Sequence, residues 1–244
     1  MVMDSLLNQT VLPDEVIIAD DGSGEDTTQM VRRFSKTYPF PVLYVWHEDR
    51  GFRAAKIRNE AIIHSSGDYI ILLDGDCVVN RHFISDHILL SETGCFIQGK
   101  RMLVKKNSVL MFSHRQANSF LSLIILSLRG ELSNIHHLFH LRLYPAIKST
   151  QLKNIKSCNM SFFKSDIVAV NGFNEDFVGW GNEDSELVCR LFKYGLIKKV
   201  HQFMAVCFHL WHPTNKSHND NKELLLATIA SKEHFCKNGL VKKN

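Results

Sequence analysis

Nine residues constrain this chain more than any others: Asp68-Tyr69-Ile70-Ile71-Leu72-Leu73-Asp74-Gly75-Asp76. Tyr69 to Leu73 is an unbroken apolar run, bounded by Gly67-Asp68 and by Gly75. A short run without alternation reads as a strand buried on both faces. Asp74 and Asp76 follow where that strand should end. In open α/β sheets, ligands gather at the carboxyl ends of strands. Alternate residues of an extended segment point the same way, so the two carboxylates can converge. Two hard oxygen donors around a small residue suit a divalent cation that also holds phosphate oxygens. A polar turn closing a core strand would use the same letters, and the remaining sequence has to separate the two.

Punctuation on either side of this run gives the architecture. Residues 4–9 look like the tail of a helix ended by Pro13, and Glu15 to Ala19 is the next strand. It stops at Asp20-Asp21-Gly22-Ser23, where Ser23 or Asp26 can cap a helix over residues 27–38. Pro39 and Pro41 break that helix, and Val42 to Trp46 is a strand. After the polar loop 47–53, residues 54–65 read as a helix with Ala54, Ile57, Ala61 and Ile62 or Ile63 on one face. Strand–helix–strand–helix–strand predicts a parallel, doubly wound sheet. Further on, helices are expected over 83–90, 109–128, 166–170, 183–194 and 222–237. Strands are expected over 96–99, 101–104, 161–163 and 198–208.

With 244 residues, 45% hydrophobic and 22% charged, the chain has a globular composition and room for one large domain or two small ones. The net charge of +4 allows an anionic ligand or a membrane surface and does not call for nucleic acid. Six scattered cysteines without a C-x-x-C read as reduced thiols in a cytosolic setting. No signal peptide stands at the N-terminus. The longest apolar run, Phe120 to Leu128, is far short of the roughly 18 residues that span a bilayer.

Several segments carry possible chemistry, each beside a plainer reading. Asp20 and Asp21 end a strand as Asp74 and Asp76 do, and could hold a base or ribose; they could also be a capped turn. Arg53, Lys56 and Arg58 surround the start of a helix, a favourable place for phosphate, or form a solvated basic face. Trp180, between Gly179 and Gly181, offers a flat face to a sugar or base next to Glu183 and Asp184. His209 follows an apolar strand and could join a carboxylate in binding a Mn²⁺-like ion, or be structural. His136, His137 and His140 have helix-like spacing but no acidic or cysteine partner nearby.

Taken together, Val16 to Ser23, Gly51-Phe52-Arg53 with Arg58-Asn59, and Asp74-Gly75-Asp76 resemble the family 2 glycosyltransferases of the GT-A fold. Gly179 to Asp184 and His209 resemble the branch with β-1,4-galactosyltransferases and chondroitin-polymerase domains. The resemblance covers about residues 4–215. It implies a Rossmann-like, mostly parallel sheet flanked by helices, over a domain of residues 1–215, with a C-terminal helix and basic tail at 216–244. It also implies a strand and nucleotide-binding loop before the Asp20 region. Met1 falls inside the helix that should follow that strand, so the chain is N-terminally incomplete or the sheet closes without it.

The resemblance further implies roles. Asp20 or Asp21 contacts the nucleoside, and Arg53, Lys56 and Arg58 lie near the diphosphate. Asp74 and Asp76 form the metal pair, completed by His209, with Mn²⁺ or Mg²⁺ as the cofactor. Asp184 is the general base, and Glu183, about 100° away on the helix, holds the acceptor. Trp180 packs the sugar, and residues 157–160 line the donor site. The implied activity is inverting, metal-dependent transfer from a nucleoside-diphosphate sugar, most naturally UDP-linked, to a glycan or lipid-linked acceptor of a bacterial surface polysaccharide. A cytoplasmic location is expected; residues 109–128 with Lys237, Lys242 and Lys243 read as a buried core helix and a solvated tail, or as a peripheral contact with an anionic bilayer. Two alternatives stand beside it: a non-catalytic sugar-nucleotide-binding remnant, and a nucleotidyltransferase.

Overall fold

The computed structural model describes residues 1–213 and 219–242. In chain order the elements are α1 (Val2–Leu7), β1 (Val16–Asp20), α2 (Glu25–Thr37), β2 (Val42–Trp46), α3 (Ala54–His64), β3 (Tyr69–Leu73), β4 (Cys77–Val79) and α4 (Phe83–Leu90). There follow β5 (Cys95–Gln98), β6 (Lys100–Val104), α5 (His114–Ala117), α6 (Phe120–Leu128), β7 (Leu132–Ser133) and β8 (Ile147–Ser149). The chain continues with β9 (Asn159–Phe163), α7 (Lys164–Ala169), α8 (Glu183–Tyr194), β10 (Ile197–Val200), β11 (Val206–Leu210) and α9 (Asn219–Ala230).

The expectation of a mostly parallel, Rossmann-like sheet is overturned. Among the described residues the strands form three sheets, ordered β1-β2, β3-β9-β5-β10-β8 and β4-β11-β6-β7. Only β1–β2, β5–β10 and β6–β11 pair in parallel; the five other pairs are antiparallel. Alternating strands and helices correctly imply that β1 and β2 run parallel. They mislead at β3, whose hydrogen-bonded neighbour is β9, some ninety residues downstream and running the other way. Apolar periodicity identifies a strand but carries no information about which later strand will pair with it.

The burial expected for Tyr69 to Leu73 is also corrected. Every residue of β3 is half-buried, not buried on both faces. Both β3 and residues Val16 to Ala19 of β1 line one cavity of about 1980 Å³, so these two apolar strands face a shared trough. No described strand lies between them.

The largest core cluster lies between the five-stranded sheet and α3, α7 and α8, with Phe96, Phe162, Phe173 and Leu187 buried. Ala54, Ala55, Ile57 and Ile62 are the buried apolar residues of α3, of which Ala55 and Ile62 enter this cluster, whereas Ile63 is exposed. A second cluster joins the four-stranded sheet to α5 and α6 through Met102, Phe112, Leu123 and Phe208. The uninterrupted helix expected over 109–128 is instead a 3-10 turn (Lys106–Met111) followed by α5 and α6, because Ser113 and Ser119 each cap a new start. The strand-like stretch 198–208 divides into β10 and β11. The C-terminal segment is docked rather than loose. The side chain of Asn171 donates to the Cys236 and Val241 carbonyls, and Leu240 packs on the main core. Lys243 lies outside the described residues.

Candidate active site

Asp74-Gly75-Asp76 is a tight turn between β3 and β4. The Cys77 N–H donates to the Asp74 carbonyl at 3.1 Å, and the Leu210 N–H donates to the Asp76 carbonyl at 2.9 Å. The turn sends the two carboxylates to different partners. Asp74 faces Arg58 at 3.3 Å. Asp76 Oδ2 lies 3.4 Å from His209 Nε2 and 3.0 Å from His212 Nε2. Register explains the pairing: β11 runs antiparallel to β4 with His209 opposite Cys77. Extended-chain reasoning had both carboxylates pointing to one spot, and it fails because Gly75 and Asp76 turn the chain.

Asp76, Cys77 and His209 offer ligand atoms within 4.8 Å of one another. Carboxylate and imidazole donors this close fit a single Mn²⁺-like ion. His212 was passed over in favour of His209; its signal was the H-x-x-H spacing that sets both imidazoles around Asp76. Below this rim, the thiols of Cys77, Cys158 and Cys207 also lie within 4.8 Å of one another and are buried. Scattered through the sequence, those three gave no sign of meeting.

Arg58 is the hub of the site. Its guanidinium is 16% exposed, donates to Glu183 at 3.0 Å and to Asp74 at 3.3 Å, and stands 5.4 Å above the Phe173 ring centre. Burial opposes its charge, but Asp74 and Glu183 more than offset this. Lys56 is two residues away on α3, roughly 200° around the helix, and forms no ion pair among the described residues. Arg53 precedes α3 and turns back to the Glu48 carbonyl, with its Nε buried and unpartnered. Of the three expected basic residues, only Arg58 reaches the acidic cluster.

The two carboxylates that open α8 differ in setting. Glu183 is tied to Arg58. The Asp184 side chain accepts from the Ser185 N–H at 2.7 Å and the Ser157 N–H at 3.4 Å. Burial pushes Asp184 above the ordinary carboxylate range, and the charge of Glu183 adds to this; Lys156 and Arg58 pull the other way. Asp74 is raised as well, by burial first, with Arg58 only partly compensating. Trp180 is 42% exposed on the same cavity wall. Its loop needs left-handed backbone on both sides, at Gly179 (φ 79°) and Gly181 (φ 107°). The Gly179 N–H donates to the Phe52 carbonyl, and Asn221 of α9 donates to the Gly181 carbonyl, which fixes the loop against its neighbours.

At the end of β1, Asp20 is buried and occupied. It accepts from Tyr44 Oη at 2.6 Å and from the Ser23 N–H at 2.8 Å. Burial raises its pKa, but these bonds outweigh it and hold the carboxylate below its ordinary value. Asp21 lines the cavity and accepts from the Arg53 N–H, with its other oxygen on His47 Nε2. Asp20 thus braces the turn, and Asp21 joins it to the Arg53 loop. The cavity therefore gathers Asp21, Arg58, Asp74, Asp76, Trp180, Glu183, Asp184 and His209, while Asp20, Arg53 and Lys56 stand back from it. His136 and His137 lie ring against ring at 3.9 Å, but the three histidines do not converge: His137 bonds the Gln202 carbonyl and His140 the buried Asp86.

A strand-end carboxylate beside two imidazoles and a helix-start carboxylate pair thus line one cavity. The model of glycosyl transferase family 2 matches residues 2–151. The chain belongs to that family. A second model, described as the N-terminal domain of galactosyltransferase, matches residues 138–213, which include Asp184 and His209.

Among curated relatives, this family 2 chain is 28% identical to a hyaluronan synthase of Pasteurella multocida, over 89% of this chain and 24% of that protein. It is 26% identical to a chondroitin synthase of Escherichia coli, over 88% of this chain and 33% of that protein. The chain thus spans a quarter to a third of the length of those two relatives. The fold is shared with S. aureus TarS, solved with UDP-GlcNAc, at a TM-score of 0.65 and 14% identity over 93% of this chain and 61% of that one. It is also shared with GalNAc-T7, solved with UDP, GalNAc and Mn²⁺, at a TM-score of 0.66 and 12% identity over 93% and 44%. Among the described residues, no helix is long and apolar enough to cross a membrane.

Proposed function

We propose that this chain transfers a sugar from a nucleoside-diphosphate sugar, UDP-linked, to a hydroxyl acceptor with inversion at the anomeric carbon, and that the reaction depends on a divalent cation. The observation that carries this reading is the meeting of Asp76 with His209 and His212 in the same cavity that Glu183 and Asp184 line. Asp76 and His209, joined by His212, would hold Mn²⁺ or Mg²⁺; Asp74, half-exposed beside Arg58, is adjacent. When bound, the ion supplies Lewis-acid neutralisation of the leaving diphosphate.

The chain's own groups do the rest. Asp184, raised by burial and by Glu183, takes the proton from the acceptor hydroxyl as its oxygen attacks. Glu183 is fixed by Arg58, so its free oxygen orients the acceptor instead of competing for that proton. Trp180 packs the sugar ring and excludes water. Asp21 and the Arg53 loop receive the nucleoside, and Arg58 and Lys156 face the diphosphate. A single displacement inverts the anomeric configuration. Likeness to a hyaluronan synthase and a chondroitin synthase supports a glycan acceptor.

The test is incubation with UDP-sugars and Mn²⁺ in the presence of glycan acceptors. UDP release with a product of inverted configuration supports the reading. Tight UDP-sugar binding without turnover would favour a binding remnant, and pyrophosphate release a nucleotidyltransferase.

A further inference from the structure

The segment between β6 and β9 is chemically unlike the rest of the chain. Residues 101–148 hold seven basic residues, among them Lys106, Arg115, Arg129 and Arg142, against one acidic residue, Glu131, in a chain whose net charge is +4. The same segment exposes apolar side chains. One face of α6 packs Leu123 and Leu126 onto the four-stranded sheet. The opposite face presents Leu121, Ile125 and Leu128, which are 68%, 40% and 84% exposed. Their i, i+4, i+7 spacing makes a continuous stripe. Phe120 extends it, its ring 5.8 Å from that of Phe139, and both are about half-exposed. Arg129 caps the end of the helix beside Leu128.

Single exposed leucines are ordinary, but an apolar stripe on a helix that is apolar on both faces marks a contact surface. What covers it follows from the charge around it. A protein partner would have to answer a basic rim with a matching acidic one. A bilayer containing anionic phospholipid meets both demands with one surface: headgroups for the arginines and lysines, acyl chains for the leucines. At nine residues α6 is about 14 Å long, too short to cross and suited to lying in the interface.

We propose that this face of α6, with Arg129 at its end and the basic segment that carries it, docks the protein on an anionic lipid bilayer. Met102, Val104 and Leu132 face α6, while the alternating Arg101, Leu103 and Ser133 line the cavity on the other face of the same sheet. The stripe is therefore separate from the cleft, and the docking does not rest on the proposed function.

Flotation tests it, with vesicles of phosphatidylglycerol and phosphatidylethanolamine against vesicles of phosphatidylcholine alone. The protein should float with the anionic vesicles and remain behind with the neutral ones, and salt should weaken the binding. The double variant Leu121→Glu/Leu128→Glu should lower partitioning by about a hundredfold or more, with an unchanged melting temperature because both side chains are exposed. Absence of flotation, or flotation unaffected by the double variant, overturns the proposal. So does a concentration-dependent dimer of the parent chain that the double variant abolishes, since the stripe would then be covered by a second copy. UDP binding with Mn²⁺, measured calorimetrically on the same two proteins, keeps the readings apart: its failure counts against the transferase site and leaves the lipid result standing.

Discussion

Arg58→Met removes the guanidinium that Asp74 and Glu183 share while keeping most of the side-chain length. Glu183 is 12% exposed and would be left charged without its partner. Asp74 is 39% exposed, so water can replace part of what it loses. Breaking a buried pair from one side costs about 3–5 kcal/mol, and the solvated Asp74 end places this case near the bottom of that range, about 3 kcal/mol. For a chain of this length, about 2–4 °C of melting temperature goes with each kcal/mol, giving a drop of roughly 6–12 °C. Thermal and urea unfolding of Arg58→Met, Glu183→Gln and the double variant supply the measurement. The double variant should recover much of the loss, because the more buried Glu183 is then neutral and only the partly solvated Asp74 is left without its partner. Arg58→Lys should restore little, since an ammonium cannot fork between two carboxylates on different elements. A loss below about 0.5 kcal/mol in Arg58→Met, or strict additivity in the cycle, would show that Arg58 holds nothing together and that the acidic cluster is organised some other way.

Three more outcomes follow from the same geometry. Asp76→Ala should abolish Mn²⁺-dependent UDP-sugar binding in calorimetry and leave unfolding nearly unchanged, since its partners are partly exposed histidines. Asp184→Asn should lower kcat by at least about a hundredfold with little change in donor affinity. In the parent chain turnover should fall as pH drops through the raised pKa of Asp184, so the acid limb sits above the ordinary carboxylate range; loss of activity in Glu183→Gln but not in Asp184→Asn would exchange their roles. Tyr44→Phe should destabilise by about 1.5–3 kcal/mol at neutral pH, the worth of a hydrogen bond to a charged group. Because Asp20 has a depressed pKa in the folded chain, its contribution is present above the unfolded value and lost as pH falls through the folded one. The gap between Tyr44→Phe and parent, followed by urea unfolding, should therefore close in acid.

The elements that the sequence announced are those with clear punctuation. Residues 83–90 and 183–194 are helices as expected, the second closed by Gly195, and 42–46 and 69–73 are strands as expected. Pairing was not legible, because β3 chooses β9 through contacts that no local pattern encodes. At the site, strand-end acids and the helix-start pair were visible as chemistry, whereas their directions depended on three-dimensional detail. The Gly75-Asp76 turn parts Asp74 from Asp76, and helical phase parts Lys56 from Arg58. The hydroxyl of Tyr44 turns Asp20 into a brace. His212 and the three buried thiols came into view only once β4, β11 and the loop before β9 were brought together.

The trough between β1 and β3 has a mechanical meaning. Asp21 rides on the β1–β2 sheet and Asp74 on the five-stranded one, and among the described strands no backbone ladder joins those sheets. Among the described residues α3 is one link between them, packing against β1 and carrying Arg58 to Asp74. The span between the two ends of the cleft is held, among those residues, by side-chain packing, by the Glu15 carboxylate that accepts from the Ser66 and Gly67 N–H groups, and by one guanidinium. A ligand reaching from Asp21 to Asp76 would act as a tie across that span, and the width of the cleft would become a property of what it holds.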